Sequence, residues 1–291
     1  PRETFFKNVY CLPPAHYLWF RDGQVTEHRY WEPRFEPDEG MTLDQAVESI
    51  DNAFTDSVEA HRISDVEVGC FLSGGVDSSF VASYFGGQKA FTVGFDNGSH
   101  YNECQYAAEL AQEIGIDHYT HLIGEEEYWA SLPDVQYHLD QPLADPSCVA
   151  LYFVSKLAAE HVKVVLSGEG ADELFGGYRI YHEPTSLAGY QKLPRFLRRA
   201  AAAVVSALPF DFKGKSFLIR GSKTLEERFI GNAYMFNQKE KSRLLKTIPA
   251  TDPREQTAEY YRRCAGQDDV TRMQYLDINR WMVGDILLKA D

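Results

Sequence analysis

Paired cysteines, long apolar runs, surplus basic charge and the two commonest phosphate-loop patterns are all missing from this sequence. Each absence removes a class of protein. The five cysteines (Cys11, Cys70, Cys104, Cys148, Cys264) form no CxxC pair and no metal-ligand spacing, which excludes a disulfide scaffold or a zinc module. Scattered singly, with Cys70 and Cys148 inside apolar stretches, they read as reduced thiols of a cytoplasmic protein. The longest strongly apolar stretch, Ala200 to Leu208, is too short to cross a bilayer. Lysine and arginine number 29 against 43 aspartates and glutamates, a formal charge of −14. So acidic a surface repels phosphate backbones and anionic lipid, so neither nucleic acid nor membrane is expected as a partner. GxxxxGK before Ser or Thr does not occur, nor does GxGxxG, so there is no Walker loop and no dinucleotide fingerprint. No secretory leader is visible. The chain opens on Pro1 rather than Met, and a piece of a longer polypeptide is expected.

What is present is material for a core. The 291 residues are 44% hydrophobic and 13% aromatic, enough for about two domains of ordinary size. Arg21-Asp22-Gly23 between two aromatic-rich runs is a hairpin signal. Thr42 with Gln45 forms a capping-box pattern ahead of a helix bearing Leu43, Ala46, Val47, Ile50, Phe54 and Val58 at helical period. From there apolar strands alternate with helices: strands at 66–72, 90–93, 118–123 and 162–166, and helices through Val81 and Phe85, over 102–114 ended by Gly115, and over 147–161. That pattern predicts an α/β fold, a doubly wound parallel sheet with right-handed crossovers. Beyond about residue 185 only helices are predicted, over 193–208, 225–237, 254–265 and 268–289.

Two loops carry chemistry. Ser73-Gly74-Gly75-Val76-Asp77-Ser78-Ser79 joins a strand to a helix N-terminus, where free N–H groups and the helix dipole favour an anion. Gly74 and Gly75 let the backbone come close, and the three serines add hydroxyls. Asp77 would repel a phosphate unless a cation lay between them, which argues for Mg²⁺ bridging phosphate oxygens. The second loop, Ser167-Gly168-Glu169-Gly170-Ala171-Asp172-Glu173, follows another buried strand and should open on the same sheet edge. Asp172 offers a second carboxylate to the metal, and Glu169 a base or a substrate contact. The rival reading is a pair of ordinary solvated turns. Other features have plain explanations: His118 and His121, three apart on a strand, point to opposite faces. Glu125-Glu126-Glu127 suits a helix start. Glu103, near the start of the helix after Phe95, either faces the nucleotide edge or is a first-turn acidic residue that needs no function.

The first loop resembles the pyrophosphate-binding loop of the ATP pyrophosphatase superfamily. Leu166 to Tyr178 (LSGEGADELFGGY) is more specific and resembles the carboxy-terminal synthetase domain of glutamine-hydrolysing asparagine synthetases. Leu12 to Leu18, Arg29 to Pro33, Asp140 to Ser147 (DQPLADPS) and Asp285 to Asp291 (DILLKAD) match as well. The resemblance implies a PP-loop fold of the adenine nucleotide alpha hydrolase type with a C-terminal helical layer. Residues 1–36 would be the tail of a glutaminase domain plus linker. Residues 37–291 would be the synthetase domain, with 37–185 binding nucleotide and 186–291 a truncated helical part. It implies a ligase that converts aspartate to asparagine through β-aspartyl-AMP, releasing AMP and pyrophosphate, with ammonia supplied from glutamine by the missing domain. Ser73 to Ser79 would hold the pyrophosphate, and Asp77 with Asp172 would ligate Mg²⁺. Phe71 and Val93 would line the adenosine pocket, Ser167 and Gly168 would contact the nucleotide, and Glu169 would take the proton from ammonia. Lys289 belongs to a different motif from the lysine that the family directs to the ATP phosphates, and no role is assigned to it. The rivals are β-lactam- or peptide-cyclising relatives and a catalytically silent nucleotide-binding protein. The sequence leaves open the oligomeric state, a homodimer included.

Overall fold

The computed structural model describes residues 2–96, 103–232, 234–247 and 252–290. Asn102, where the predicted helix begins, and Asp291, the last residue of the DILLKAD stretch, lie outside them. The chain divides into two compact units, one made of residues 12–33 and 171–284, the other of residues 2–11, 34–170 and 285–290.

The second of these holds the sheet. Helix α1 (Leu43–His61) starts at the expected capping box, with the Thr42 side chain accepting from Gln45 N and the Gln45 side chain accepting from Thr42 N. Strand β3 (Val68–Phe71), helix α2 (Val76–Phe85), strand β4 (Lys89–Phe95), helix α3 (Cys104–Ile114), strand β5 (Asp117–Ile123), helices α4 (Glu125–His138) and α5 (Ser147–Ala159), and strand β6 (Val164–Leu166) follow in turn. The four strands are parallel and ordered β5-β4-β3-β6. Residues alternate between its two faces as the pleat requires. Cys70, Leu72 and Ala90 meet Ala82 and Phe85 of α2 and Ala107 and Ala111 of α3. Phe91, flanked by Phe71 and Val93, meets Val154 and Ala158 of α5. Helices thus cover both faces, the doubly wound arrangement expected. Burial alone pushes the Cys70 thiol up to about 12, and no disulfide joins any two of the five cysteines. His118 meets Thr92 Oγ1 at 2.7 Å and burial lowers its pKa, while His121 faces Glu127 at 3.1 Å. Each histidine has its own partner.

The other unit begins with the predicted hairpin, β1 (His16–Arg21) and β2 (Gln24–Arg29), antiparallel from His16↔Arg29 to Arg21↔Gln24. Asp22 and Gly23 both take positive φ (53° and 78°), the turn whose twist suits a two-residue hairpin. Tyr275 donates to Glu32 just beyond it at 2.8 Å. The helices are α6 (Ala171–Phe175), α7 (Glu183–Gln191), α8 (Arg195–Ala207), α9 (Lys215–Gly221), α10 (Leu225–Arg228), α11 (Gln238–Leu244), α12 (Pro253–Arg263) and α13 (Asp269–Asp277). Two sequence expectations fail here. The helix expected over 225–237 stops at Arg228. The Phe229 carbonyl is taken by the Tyr261 hydroxyl at 2.7 Å, and Gly231 turns the chain at φ 101°. The helix expected over 268–289 is α-helical only to Asp277 and then widens into a π-helical stretch, Ile278–Ile286. There Asn279 Nδ2 competes for the Tyr275 carbonyl at 2.7 Å. No helix among the described residues is long and apolar enough to cross a membrane.

Asp277 is fully buried and accepts from the Tyr181 hydroxyl at 2.7 Å and from Asn232 Nδ2 at 3.0 Å. Burial nevertheless pushes its pKa up to about 7. A carboxyl group raised in the folded state contributes stability that is complete below about pH 4 and lost as pH rises through about 7, up to about 4 kcal/mol here. Urea unfolding at pH 5 and pH 8 is expected to show the wild type losing stability relative to Asp277→Asn across that interval. An unchanged difference would refute the assignment.

Candidate active site

The strand order places the topological switch point between β3 and β6, since successive strands run outward from β3 on one side and the chain returns on the other. Open parallel sheets bind ligands at that point, beyond the carboxyl ends of the strands. The two Gly-rich loops leave from these two ends.

After β3, Ser73 and Ser78 brace the first loop. Their hydroxyls lie 2.8 Å apart, Ser73 N donates to Ser78 Oγ at 2.9 Å, and Gly75 N donates to Ser73 Oγ at 3.1 Å. Gly75 caps α2 with extended backbone and no side-chain hydrogen bond, so no side chain competes for the helix's first-turn N–H groups. Gly74 sits in a tight place, because a Cβ there would meet the Cβ atoms of Glu103 and Tyr106 at 3.0 Å. Gly168 decides the geometry. A Cβ on it would stand 2.8 Å from Ser78 N and 2.9 Å from the Asp77 carbonyl carbon. The backbone of the second loop therefore packs directly on the first turn of α2.

Together the loops edge a cleft of about 520 Å³. Of the residues singled out in the sequence, Phe71, Ser73, Asp77, Ser78, Val93, Ser167, Gly168 and Glu169 line it. Gly74, Gly75, Val76 and Ser79 are not among its lining residues, and Val76 is 83% exposed. Asp172 lies in the first turn of α6, in the other compact unit. Its carbonyl accepts from Gly177 N at 2.9 Å, and its carboxylate occupies the space that a Cβ on Gly177 would need. Next to it, buried Glu173 accepts from the Tyr178 hydroxyl at 2.7 Å.

Glu103, Ser147 and Lys289 also line the cleft. Lys289 and Ser147 are sites that the sequence reading missed, although both lie in stretches that carried the resemblance. The lysine is 6% exposed, donates to Asp145 at 2.9 Å and lies 3.8 Å from Glu169. Burial raises the Asp145 carboxyl, but hydrogen bonds from Ser147 N and from Lys289 outweigh it and hold the group ionised.

Aromatic and aliphatic side chains, carboxylates among the lining residues and a helix start that no side chain caps suit a nucleotide with a metal-neutralised phosphate tail. The sequence profile of the asparagine synthase family matches residues 49–291. The chain belongs to the asparagine synthase family. Among its relatives is asparagine synthetase [glutamine-hydrolyzing] 1 of Bacillus subtilis, 44% identical over 295 residues, covering 99% of this chain and 46% of the relative. A Mycobacterium tuberculosis protein, also named as a glutamine-hydrolysing asparagine synthetase, is 43% identical over 301 residues with the same coverage. Amidase chry2 of Gibberella zeae is 31% identical over 198 residues, covering 60% of this chain and 30% of the amidase. The chain therefore spans about half the length of the synthetases it matches.

Proposed function

We propose that this chain is the synthetase part of an ATP-dependent, glutamine-hydrolysing asparagine synthetase of the cytoplasm, with residues 37–291 as the synthetase domain and residues 1–36 as the tail of a glutaminase domain plus linker. The observation that carries the reading is the seating of Gly168 on the Asp77–Ser78 backbone. It joins the anion-binding turn and the Glu169 loop along one cleft.

In this reading adenosine lies against Phe71 and Val93, and Ser167 and Gly168 contact the nucleotide. The N–H groups at the start of α2 and the Ser73 to Ser79 loop hold the triphosphate. The side-chain carboxylate of aspartate attacks the α-phosphorus. A C–O–P linkage forms, the bond to the bridging oxygen breaks, and pyrophosphate leaves with the electron pair. Ammonia then attacks the acyl carbon of β-aspartyl-AMP, the C–O bond to AMP breaks with its electron pair leaving on AMP, and Glu169 accepts the proton that nitrogen loses. Asp77 and Asp172 would hold Mg²⁺, for which hard carboxylate oxygens shared with phosphate are the usual donor set. When bound there, the ion neutralises charge on the departing pyrophosphate.

The test is pyrophosphate release by the full native protein. Release is expected to require ATP, Mg²⁺ and aspartate together, with asparagine and AMP formed one for one when ammonium is added. Release that is indifferent to aspartate, or that responds to another carboxylate instead, contradicts the proposal.

A further inference from the structure

The ammonium of Lys289 is built into the cleft wall, and the reaction sequence above leaves it without a task. A lysine buried this far is rare unless paired. Two of its donors are committed, to Asp145 Oδ2 at 2.9 Å and to Ser147 Oγ at 2.8 Å. Ser147 is fixed in turn, since its N–H donates to Asp145 Oδ1 at 2.9 Å and its hydroxyl to Asp145 Oδ2 at 2.8 Å. The ammonium thus has one position, 3.8 Å from Glu169 Oε2. One donor remains, too few for the several contacts of a phosphate clamp.

The charges around it run in the same direction. Asp285, one turn earlier in the chain, is 6% exposed and its Oδ2 has no protein hydrogen bond. Burial, then the nearby Asp145 charge, push Asp285 up to about 6. Burial works against the charge on Lys289, but the hydrogen bond to Asp145 and the charges of Glu169, Asp145 and Asp285 more than restore it. The lysine therefore stays an ammonium among three carboxyl groups, only one of which, Glu169, lines the cleft.

We propose that Lys289 is a positioning residue for Glu169: its ammonium, anchored by Asp145 and Ser147, fixes the Glu169 carboxylate on the cleft wall for the amide-forming step. The inference rests on the proposed function. In that step the C–N bond forms, the C–O bond to AMP breaks with its electron pair leaving on AMP, and one N–H proton passes to Glu169. Adenylation needs no such acceptor, so the two half-reactions separate the roles.

The experiment uses the full native protein with ammonium chloride as nitrogen source. It measures aspartate-dependent ATP–pyrophosphate exchange beside asparagine formation. Lys289→Met is expected to keep exchange within about threefold and to lower asparagine formation at least about tenfold, a loss on the scale of impaired general-base catalysis. Lys289→Arg is expected to restore most of the loss, and Ser147→Ala to fall between. The two milder variants decide the matter if Lys289→Met melts early. Equal loss of both half-reactions at an unchanged melting temperature overturns the inference, as does full retention of asparagine formation. A wild-type protein without exchange overturns the functional reading instead, and the inference falls with it.

Discussion

Asp77→Ala is expected to lower aspartate-dependent ATP–pyrophosphate exchange by about two to three orders of magnitude, while the melting temperature moves by no more than about 2 °C. The two halves of the expectation have separate causes. Asp77 is exposed at the first turn of α2, so its loss removes little packing. Its carboxylate lines the cleft beside N–H groups that favour an anion. A carboxylate in that place repels a triphosphate unless a divalent ion lies between them. In the proposed function, removing the carboxylate leaves more charge on the departing pyrophosphate in the transition state, so the cost falls on the rate. Exchange and melting curves of the same preparation test both halves. Exchange that survives intact would remove the metal role from Asp77.

The second large effect is expected from Gly168→Val: nucleotide affinity reduced about tenfold to a hundredfold, with the sheet still formed. The atoms a Cβ would strike are Ser78 N and the Asp77 carbonyl carbon. Both are backbone at the start of a helix and cannot rotate away as a side-chain tip would. Overpacking of this kind costs about 1–3 kcal/mol, and each 1.4 kcal/mol is a factor of about ten in affinity. Relief requires the two loops to separate, which spoils the shape that the nucleotide needs. Titration with a fluorescent ATP analogue reads the affinity, and far-ultraviolet circular dichroism checks the fold. Affinity equal to wild type would mean that the contact between the loops is dispensable.

Much of this arrangement was legible in the residues, because it depends on local chemistry. Asp22-Gly23 specifies a tight hairpin, and Thr42 with Gln45 specifies a helix start. Gly115 ends α3 in the left-handed conformation (φ 71°), and short aliphatic runs between amphipathic segments specify buried parallel strands. That the Ser73 to Ser79 and Ser167 to Glu169 stretches open on one sheet edge was legible for the same reason, since each follows a strand end, and residues of both line the cleft. What stayed hidden depends on distant partners. The Tyr261 hydroxyl that ends α10 at Arg228 lies 32 residues beyond the carbonyl it binds. Lys289 meets Asp145 across 144 residues, and although Asp285 to Asp291 carried the resemblance, it gave the lysine no place in the cleft. That Gly168 touches Asp77, rather than simply turning the chain, follows from the pairing of β3 with β6. No spacing along the sequence reveals such a pairing.

The central claim is that one divalent ion joins carboxylates from the two loops at the phosphate tail of ATP. Diffraction from crystals of the protein holding ATP and Mn²⁺, with anomalous differences locating the metal, tests it most directly. The account predicts a single peak within coordination distance of both Asp77 and Asp172, touching phosphate oxygens. A metal bound to the nucleotide but to neither carboxylate, or a triphosphate lying away from the first turn of α2, would contradict it.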